Sequence, residues 1–370
     1  MTRRIAFLVN GDAHSAVGVR ARGLAVHLDR KYDIRICYRT DNRVVSILRF
    51  IRFLQAEPPA ITYIFDMAYS GVIAGLFYKV FVRNCLIVDT GDSIYALARS
   101  VGTRSKIGLW MTWLLEWCSL RFADEIVVRG SIHRERLSSR DIRAEVIQDG
   151  VETELFRPMD VHDLRESYDL HGVLTVGFVG SITWSPKLQM CYGSELVDTL
   201  CLLRGLPIKG IVIGDGSGLE KLKARARECG IEDRIIFLGR IPYAQLPRYL
   251  NLIDVCLSTQ TNDAAGEVRT TGKLPLYLAT GRHVLASRVG EAALLLPDNM
   301  LVDYNNTIDS EYPQRLAERI RAISRDSQLM RGSQANRALA LQHFDYSVLG
   351  RRLVGILGAH LFADSSVTSH

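Results

Sequence analysis

The chain has 370 residues, 48% hydrophobic and 23% charged, a globular balance that excludes disordered, collagen-like and coiled-coil polypeptides. One hydrophobic core rarely serves that length, so two domains are expected. The net charge of +6 is uneven: residues 1–150 hold 22 basic and 15 acidic side chains, and residues 151–370 hold 24 and 25.

The N-terminus places Arg3 and Arg4 before a short apolar run, too short for a signal peptide, which reads as a first strand. Seven scattered cysteines show no CxxC pair and no Cys/His metal spacing. They read as buried reduced thiols in a cytoplasmic protein with no bound metal.

Short Val/Ile-rich runs alternate with helical patterns. In the first half the predicted strands are Ile5–Val9, Ile34–Cys37, Ile61–Phe65, Leu86–Asp89, Glu125–Val128 and Ala144–Ile147. Helices are predicted near 16–29, 42–55, 69–82, 106–121 and 131–139. The longest apolar stretch, Tyr69 to Val82, is interrupted by Lys79 and too short to span a bilayer. Residues 107–120 carry three of the four tryptophans. There Ile107, Trp110, Met111, Leu114, Trp117 and Cys118 follow helical spacing, which predicts a buried face. Trp113 and Leu120 fall off that stripe; burial between sheet and neighbouring helices is favoured for them over contact with a membrane surface.

A turn-rich junction at Gln148–Pro158 precedes a second alternation. Its predicted strands are Thr175–Val179, Ile208–Ile213, Ile235–Leu238, Val255–Leu257, Val284–Ala286 and Met300–Val302, with helices near 191–203, 218–228, 243–251, 269–279 and 311–324. Tyr346, Leu349, Leu353, Ile356 and Leu357 mark a terminal amphipathic helix, and the tail Asp364–His370 is expected to be loose. The pattern predicts an α/β protein of two doubly wound parallel-sheet domains, 1–150 and 151–345, followed by a terminal helix and tail at 346–370. Ligands of such sheets bind at the carboxyl ends of the strands, so the loops there are the candidates.

The loop holding Gly11, His14, Ser15, Gly18 and Arg20 opens a helix, where Ser15 serves equally as an N-cap. The run Gly214-Asp215-Gly216-Ser217-Gly218 resembles a dinucleotide turn, but its third glycine is one place early and the next strand ends in Gly239-Arg240 without a ribose-binding acid. A dehydrogenase is therefore disfavoured. Gly180 and Ser181 permit close approach to a ligand, and Lys187 reaches for a phosphate as a point charge. The segment Asp263–Gly281 is the most informative. Arg269, Lys273 and the hydroxyls of Thr270 and Thr271 around a fresh helix N-terminus suit a diphosphate cradle, favoured over Thr270 or Thr271 merely capping the helix, which would not explain the two cations. No aromatic-basic motif for nucleic acid occurs.

Ile147-Gln148-Asp149-Gly150-Val151-Glu152, Val176–Ser181, Ile213–Gly216, Arg234–Arg240, Leu278–Ser287 and Leu115–Val128 together resemble, in order, the family 4 glycosyltransferases of the GT-B fold. The resemblance covers most of the chain. It implies two Rossmann-like domains facing a central cleft, the last helix crossing back, and retaining, metal-independent transfer from a UDP- or GDP-sugar with no cofactor. It implies that Gly180 and Ser181 approach the donor phosphates and that Lys187 is the diphosphate lysine. Arg240 and Ile241 would flank the base, Thr270 and Thr271 would hold the diphosphate, and Glu267 would contact the sugar. The second of the family's paired glutamates falls on Leu276, and Glu267 stands one place off the first. Asp92, where the family often has a histidine, would orient acceptor or sugar, or cap the helix beginning at Ser93. The loop with Gly11, His14, Ser15 and Arg20 would face the acceptor: a glycan, a lipid-linked molecule or a small molecule. The basic first half fits an acidic acceptor or peripheral contact with an anionic membrane. A nucleotide-sugar epimerase and a non-catalytic partner module are the alternatives.

Overall fold

A computed structural model describes residues 3–67, 69–82, 84–102, 104–330 and 332–367. The first sheet comprises β1 (Arg4–Val9), β2 (Asp33–Tyr38), β3 (Ile61–Phe65), β4 (Cys85–Thr90), β5 (Glu125–Val128) and β6 (Glu145–Val146). β1, β3 and β4 are almost wholly buried, as strands covered by helices on both faces must be. All pairings are parallel, in the order β2-β1-β3-β4-β5-β6.

The second domain adds β7 (Leu174–Val179), a hairpin of β8 (Trp184–Ser185) and β9 (Met190–Cys191), β10 (Ile208–Ile213), β11 (Ile235–Gly239), β12 (Val255–Ser258), β13 (His283–Ser287) and β14 (Leu301–Val302). Its parallel sheet runs β11-β10-β7-β12-β13-β14. Strand order reverses between β1 and β3 in the first sheet and between β7 and β12 in the second. Those are the points where doubly wound sheets leave a crevice. The hairpin and the helices His162–Ser167 and Ser333–His343 were absent from the sequence reading because each is short or weakly periodic.

The helix Lys106–Phe122 corrects one expectation. Its predicted buried stripe faces outward, with Ile107 73%, Trp110 57% and Trp117 48% exposed. The buried residues are Thr112 and Ser119. Their hydroxyls donate to Gly108 O (2.6 Å) and Leu115 O (2.8 Å) one turn back, so these small side chains are satisfied and let the protein approach closely on that side. Trp113 is also exposed, whereas Leu120 packs partly against the core.

The last helix, Tyr346–Val367, returns to the first domain. Leu349, Leu353, Leu357 and Leu361 bury against Ala21, Leu24 and Leu28 of the helix Ala16–Leu28. The helix runs through Val367, further than the expected loose tail allowed; residues 368–370 lie outside the described residues. The chain crosses between domains twice, side by side. Val151 N donates to Phe344 O (2.8 Å), and Tyr346 N donates to Val151 O (3.3 Å).

Tyr346 is buried at this double crossing between Gly23 and Gly150. A Cβ at Gly23 would lie 2.4 Å from its ring, and one at Gly150 would lie 2.3 Å away. Neither glycine has a positive φ, so the requirement is for space alone. Beside the ring, Arg20 is 2% exposed and donates to Asp89 (2.8 Å), to Ile147 O (2.8 Å) and to Gln148 O. Asp89 also accepts from Tyr63 OH at 2.9 Å and from Arg129 Nε at 3.3 Å.

Two stability outcomes follow from this packing. Gly23→Ala should destabilise the fold by about 1–3 kcal/mol through overpacking against a rigid ring. Arg20→Met should cost about 3–5 kcal/mol, because it removes the nearest cation from the buried Asp89 carboxylate and leaves Arg129 and Tyr63 as its remaining side-chain partners. Chemical denaturation midpoints check both, and unchanged midpoints would count against the clamp.

Candidate functional site

The crevices of the two sheets face each other across a cleft of about 1150 Å3. Gly180 and Ser181, just past β7, form one wall. Gly180 has φ +151°, and a Cβ there would meet nothing within 4 Å, so its backbone is open to the cleft. The glycine run after β10 has a packing purpose. A Cβ at Gly214 would sit 1.9 Å from Gly180 O, and one at Gly216 would sit 2.4 Å from Ile182 O. These glycines let two loops cross, which is why they do not spell a dinucleotide fingerprint.

The segment after the neighbouring strand β12 lines the same cleft with Arg269, Thr270, Thr271 and Lys273. Arg269 Nε donates to Asp92 Oδ1 at 3.1 Å across the domain boundary, and Arg269 Nη1 donates to Tyr192 OH at 3.1 Å. Neither threonine caps the helix, which starts at Lys273 without a side-chain cap. Thr270 Oγ1 donates to Asp149 Oδ2 (3.0 Å), and Thr271 Oγ1 pairs with Ser258 Oγ (3.2 Å). Lys273 lies deep in the cleft, where burial lowers its pKa to about 8 against the attraction of Glu195. Arg240 and Ile241 follow β11 at the cleft edge, and Arg240 reaches the carbonyl of His14 at 3.4 Å.

The residues of the loop after β1 divide. His14 lines the cleft and is exposed. Ser15 is the N-cap, its Oγ accepting from Gly18 N at 3.2 Å. Gly11 makes room, since a Cβ there would lie 2.3 Å from Ser15 Oγ. Arg20 touches the cleft but spends its donors on Asp89 and the interdomain crossing.

Two predicted catalytic residues are drawn elsewhere. Lys187 Nζ donates to Arg99 O at 3.1 Å, and its stem lies against Gly102, away from the main cleft. Glu267 pairs with Arg136 of the first domain instead of entering the cleft. Asp92 does not cap its helix. Glu116 does, accepting from Tyr95 N at 2.7 Å, which leaves Asp92 for Arg269.

Asp92, Lys187 and His133 line a second cavity of about 1290 Å3 between the domains. Burial lowers the His133 pKa to about 4, so this ring is neutral at pH 7, and its Nδ1 has no hydrogen-bond partner. Ser100 and Ala265 line both cavities, and the Arg269–Asp92 pair bridges them.

The sequence reading missed Arg129, Asp149, Tyr192 and Glu195, all of which line the main cleft. Arg129 is the first residue after β5, so the strand-end rule used for other loops would have found it. Its Nη2 is buried without a partner. Glu195 was hidden because its helix was read from residue 191; it starts at Ser194. Burial raises the pKa of this carboxyl. Leu276 lines the cleft at the position where the family resemblance places a glutamate. Among the described residues, no group of three or more His, Cys, Asp or Glu is placed to hold a metal ion.

Comparison with known proteins agrees with this fold. Residues 174–326, which span β7 to β14, match the glycosyl transferases group 1 family. A 2-deoxystreptamine glucosyltransferase of Streptomyces kanamyceticus is 28% identical over 36% of this chain and 33% of its own length. A GDP-mannose-dependent alpha-(1-6)-phosphatidylinositol monomannoside mannosyltransferase of Mycobacterium tuberculosis is 26% identical over 73% of this chain and 67% of its own. The chain thus spans a third of the first relative and about two thirds of the second. The crystal structure of Anabaena HepE with UDP and glucose superposes with a TM-score of 0.74 at 17% identity, covering 96% of this chain and 100% of HepE, which shows the shared fold. Two facing doubly wound sheets and a returning last helix give this chain the GT-B fold, and its second domain is similar to the glycosyl transferases group 1 over residues 174–326.

Proposed function

We propose that the protein transfers a sugar from a UDP- or GDP-sugar to an acceptor hydroxyl, with retention at the anomeric carbon and without a metal ion. The observation that carries this reading is the meeting of Arg269, Lys273 and the open backbone of Gly180 in one cleft, at the switch point of the second sheet. UDP in the HepE structure supports a nucleotide donor in this fold.

In this reading the diphosphate lies between Gly180-Ser181 and the stretch Arg269–Lys273, with the base beside Arg240 and Ile241. The bond from the anomeric carbon to the diphosphate breaks, and the diphosphate leaves with the electron pair. The charge it gains is held by Arg269 and Lys273, which therefore stabilise the transition state more than the ground state. In a retaining transfer the acceptor oxygen attacks from the face that the diphosphate vacates. The nearest base for its proton is then a departing phosphate oxygen. The Leu276 side chain cannot hold a ribose hydroxyl, so another carboxyl of the cleft, Glu195 in this reading, would take its place.

The second cavity favours transfer over epimerisation, since an enzyme acting on the donor alone needs no second chamber beside it. The acceptor would enter there, past Asp92 and His133. The mycobacterial relative is named for a lipid acceptor, which extends the same option to this chain.

Calorimetric titration with UDP, GDP and ADP tests the donor site; absence of heat with all three would sink it and favour a non-catalytic module. Arg269→Ala should lower kcat about 100- to 1000-fold, as loss of a group that meets developing charge does. Lys187→Ala should leave kcat within about threefold, the scale of a surface contact worth under 1 kcal/mol. Equal losses in the two variants would return Lys187 to the chemistry. Because Lys273 loses its proton near pH 8, nucleoside diphosphate affinity should fall about tenfold from pH 7 to pH 9. Lys273→Met should bind weakly with a flat profile over that range.

A further inference from the structure

The outer face of the first domain carries apolar surface that the fold leaves uncovered. Three helices, Arg43–Ala56, Tyr69–Val82 and Lys106–Phe122, lie side by side on it. Val80 and Phe81 project from the second, 75% and 71% exposed; Ile107, Trp110, Trp113 and Trp117 project from the third. The reversed orientation of the Lys106–Phe122 helix produces this surface: its hydroxyls face the protein and its tryptophans face outward.

Charge on the same helices is predominantly positive. They carry Arg43, Arg49, Arg52, Lys106, Arg121 and Lys79, the last paired with Asp124 at 2.6 Å, against one carboxylate, Glu116. That carboxylate is turned toward Tyr95 N, away from the face. We propose that this face docks on an anionic lipid bilayer and that the acceptor is a membrane-held lipid whose head group enters the second cavity. The acceptor half of the proposal rests on the glycosyl-transfer reading; the docking half does not.

Charge complementarity selects the occupant. A second copy of the chain would oppose cations to cations, whereas an anionic surface attracts each nearby Lys or Arg, raising partitioning about fivefold per residue. Tryptophan suits the boundary, with an apolar ring and a polar N–H at head-group depth. The helices lie on the membrane instead of crossing it, since among the described residues none is long and apolar enough to span. Continuity supplies the route. Trp113, Trp117 and Leu120 belong to this helix and also line the second cavity. A lipid head group resting there keeps its tails beside the bilayer.

The test is co-sedimentation of the full chain with phosphatidylcholine vesicles, with and without phosphatidylglycerol, followed by tryptophan emission. Binding to the anionic vesicles with a blue shift, weakened by salt, is expected. Trp110→Ser combined with Phe81→Ser should reduce partitioning about tenfold or more, since each loses a large buried apolar group. Arg49→Gln with Arg52→Gln and Lys106→Gln should remove the preference for phosphatidylglycerol. Both variants should keep the wild-type nucleotide titration, which verifies folding and reads the donor site separately. Wild-type protein that binds nucleotide but ignores anionic vesicles would overturn the docking alone. A dimer in sedimentation velocity that Trp110→Ser with Phe81→Ser dissociates would overturn it in favour of a second copy.

Discussion

The guanidinium of Arg20 is the interaction on which the arrangement of the two domains depends. A buried cation of this kind persists only when its donors are matched, and here Asp89, Ile147 O and Gln148 O match them. Those partners belong to the end of β4 and to the first interdomain crossing, so one side chain joins a sheet edge, a helix and the hinge. Tyr346, held between Gly23 and Gly150, adds the second crossing to the same point. The hinge is thus rigid in its interior, although only a few residues cross it.

Contacts across the cleft are of another kind. Arg269–Asp92, Thr270–Asp149, Ser100–Asp263 and Arg136–Glu267 are side-chain contacts made at partly exposed loops and helix surfaces. Each is replaceable by water or by a ligand group at small cost, which the packing around Tyr346 is not. Domain opening about the crossing would therefore break the cleft contacts first and leave the hinge intact, as substrate entry and product release require. Arg269 has a particular place in this, since it lines the main cleft while its partner Asp92 lines the second cavity.

Much of the fold was legible in the sequence because it rests on local regularities. Continuous apolar runs such as Ile61–Phe65 and Val255–Leu257 can be satisfied only between two layers of helices, and their alternation with helices forces parallel pairing. The loops that line the cleft were legible for a related reason: Gly180 and the stretch from Arg269 to Lys273 follow strands of the second sheet at its carboxyl edge. Lys187 and Glu267 read equally well as site residues. Their direction is set by Arg99 O and Arg136, which lie far away in sequence. Glu195 had no local signal, because its place in the cleft comes from the short hairpin before it.

The sequence by itself determined two doubly wound domains, the crevices at their strand ends and the cationic segment that faces them, since periodicity and strand order act over short stretches of chain. Only the tertiary structure decided which side chains point into the cleft and which way the Lys106–Phe122 helix faces. A helical stripe of tryptophans shows that one face is apolar without showing what covers it. Here the close approach permitted by Thr112 and Ser119 won the inward position, and the bulky aromatic rings were left outside.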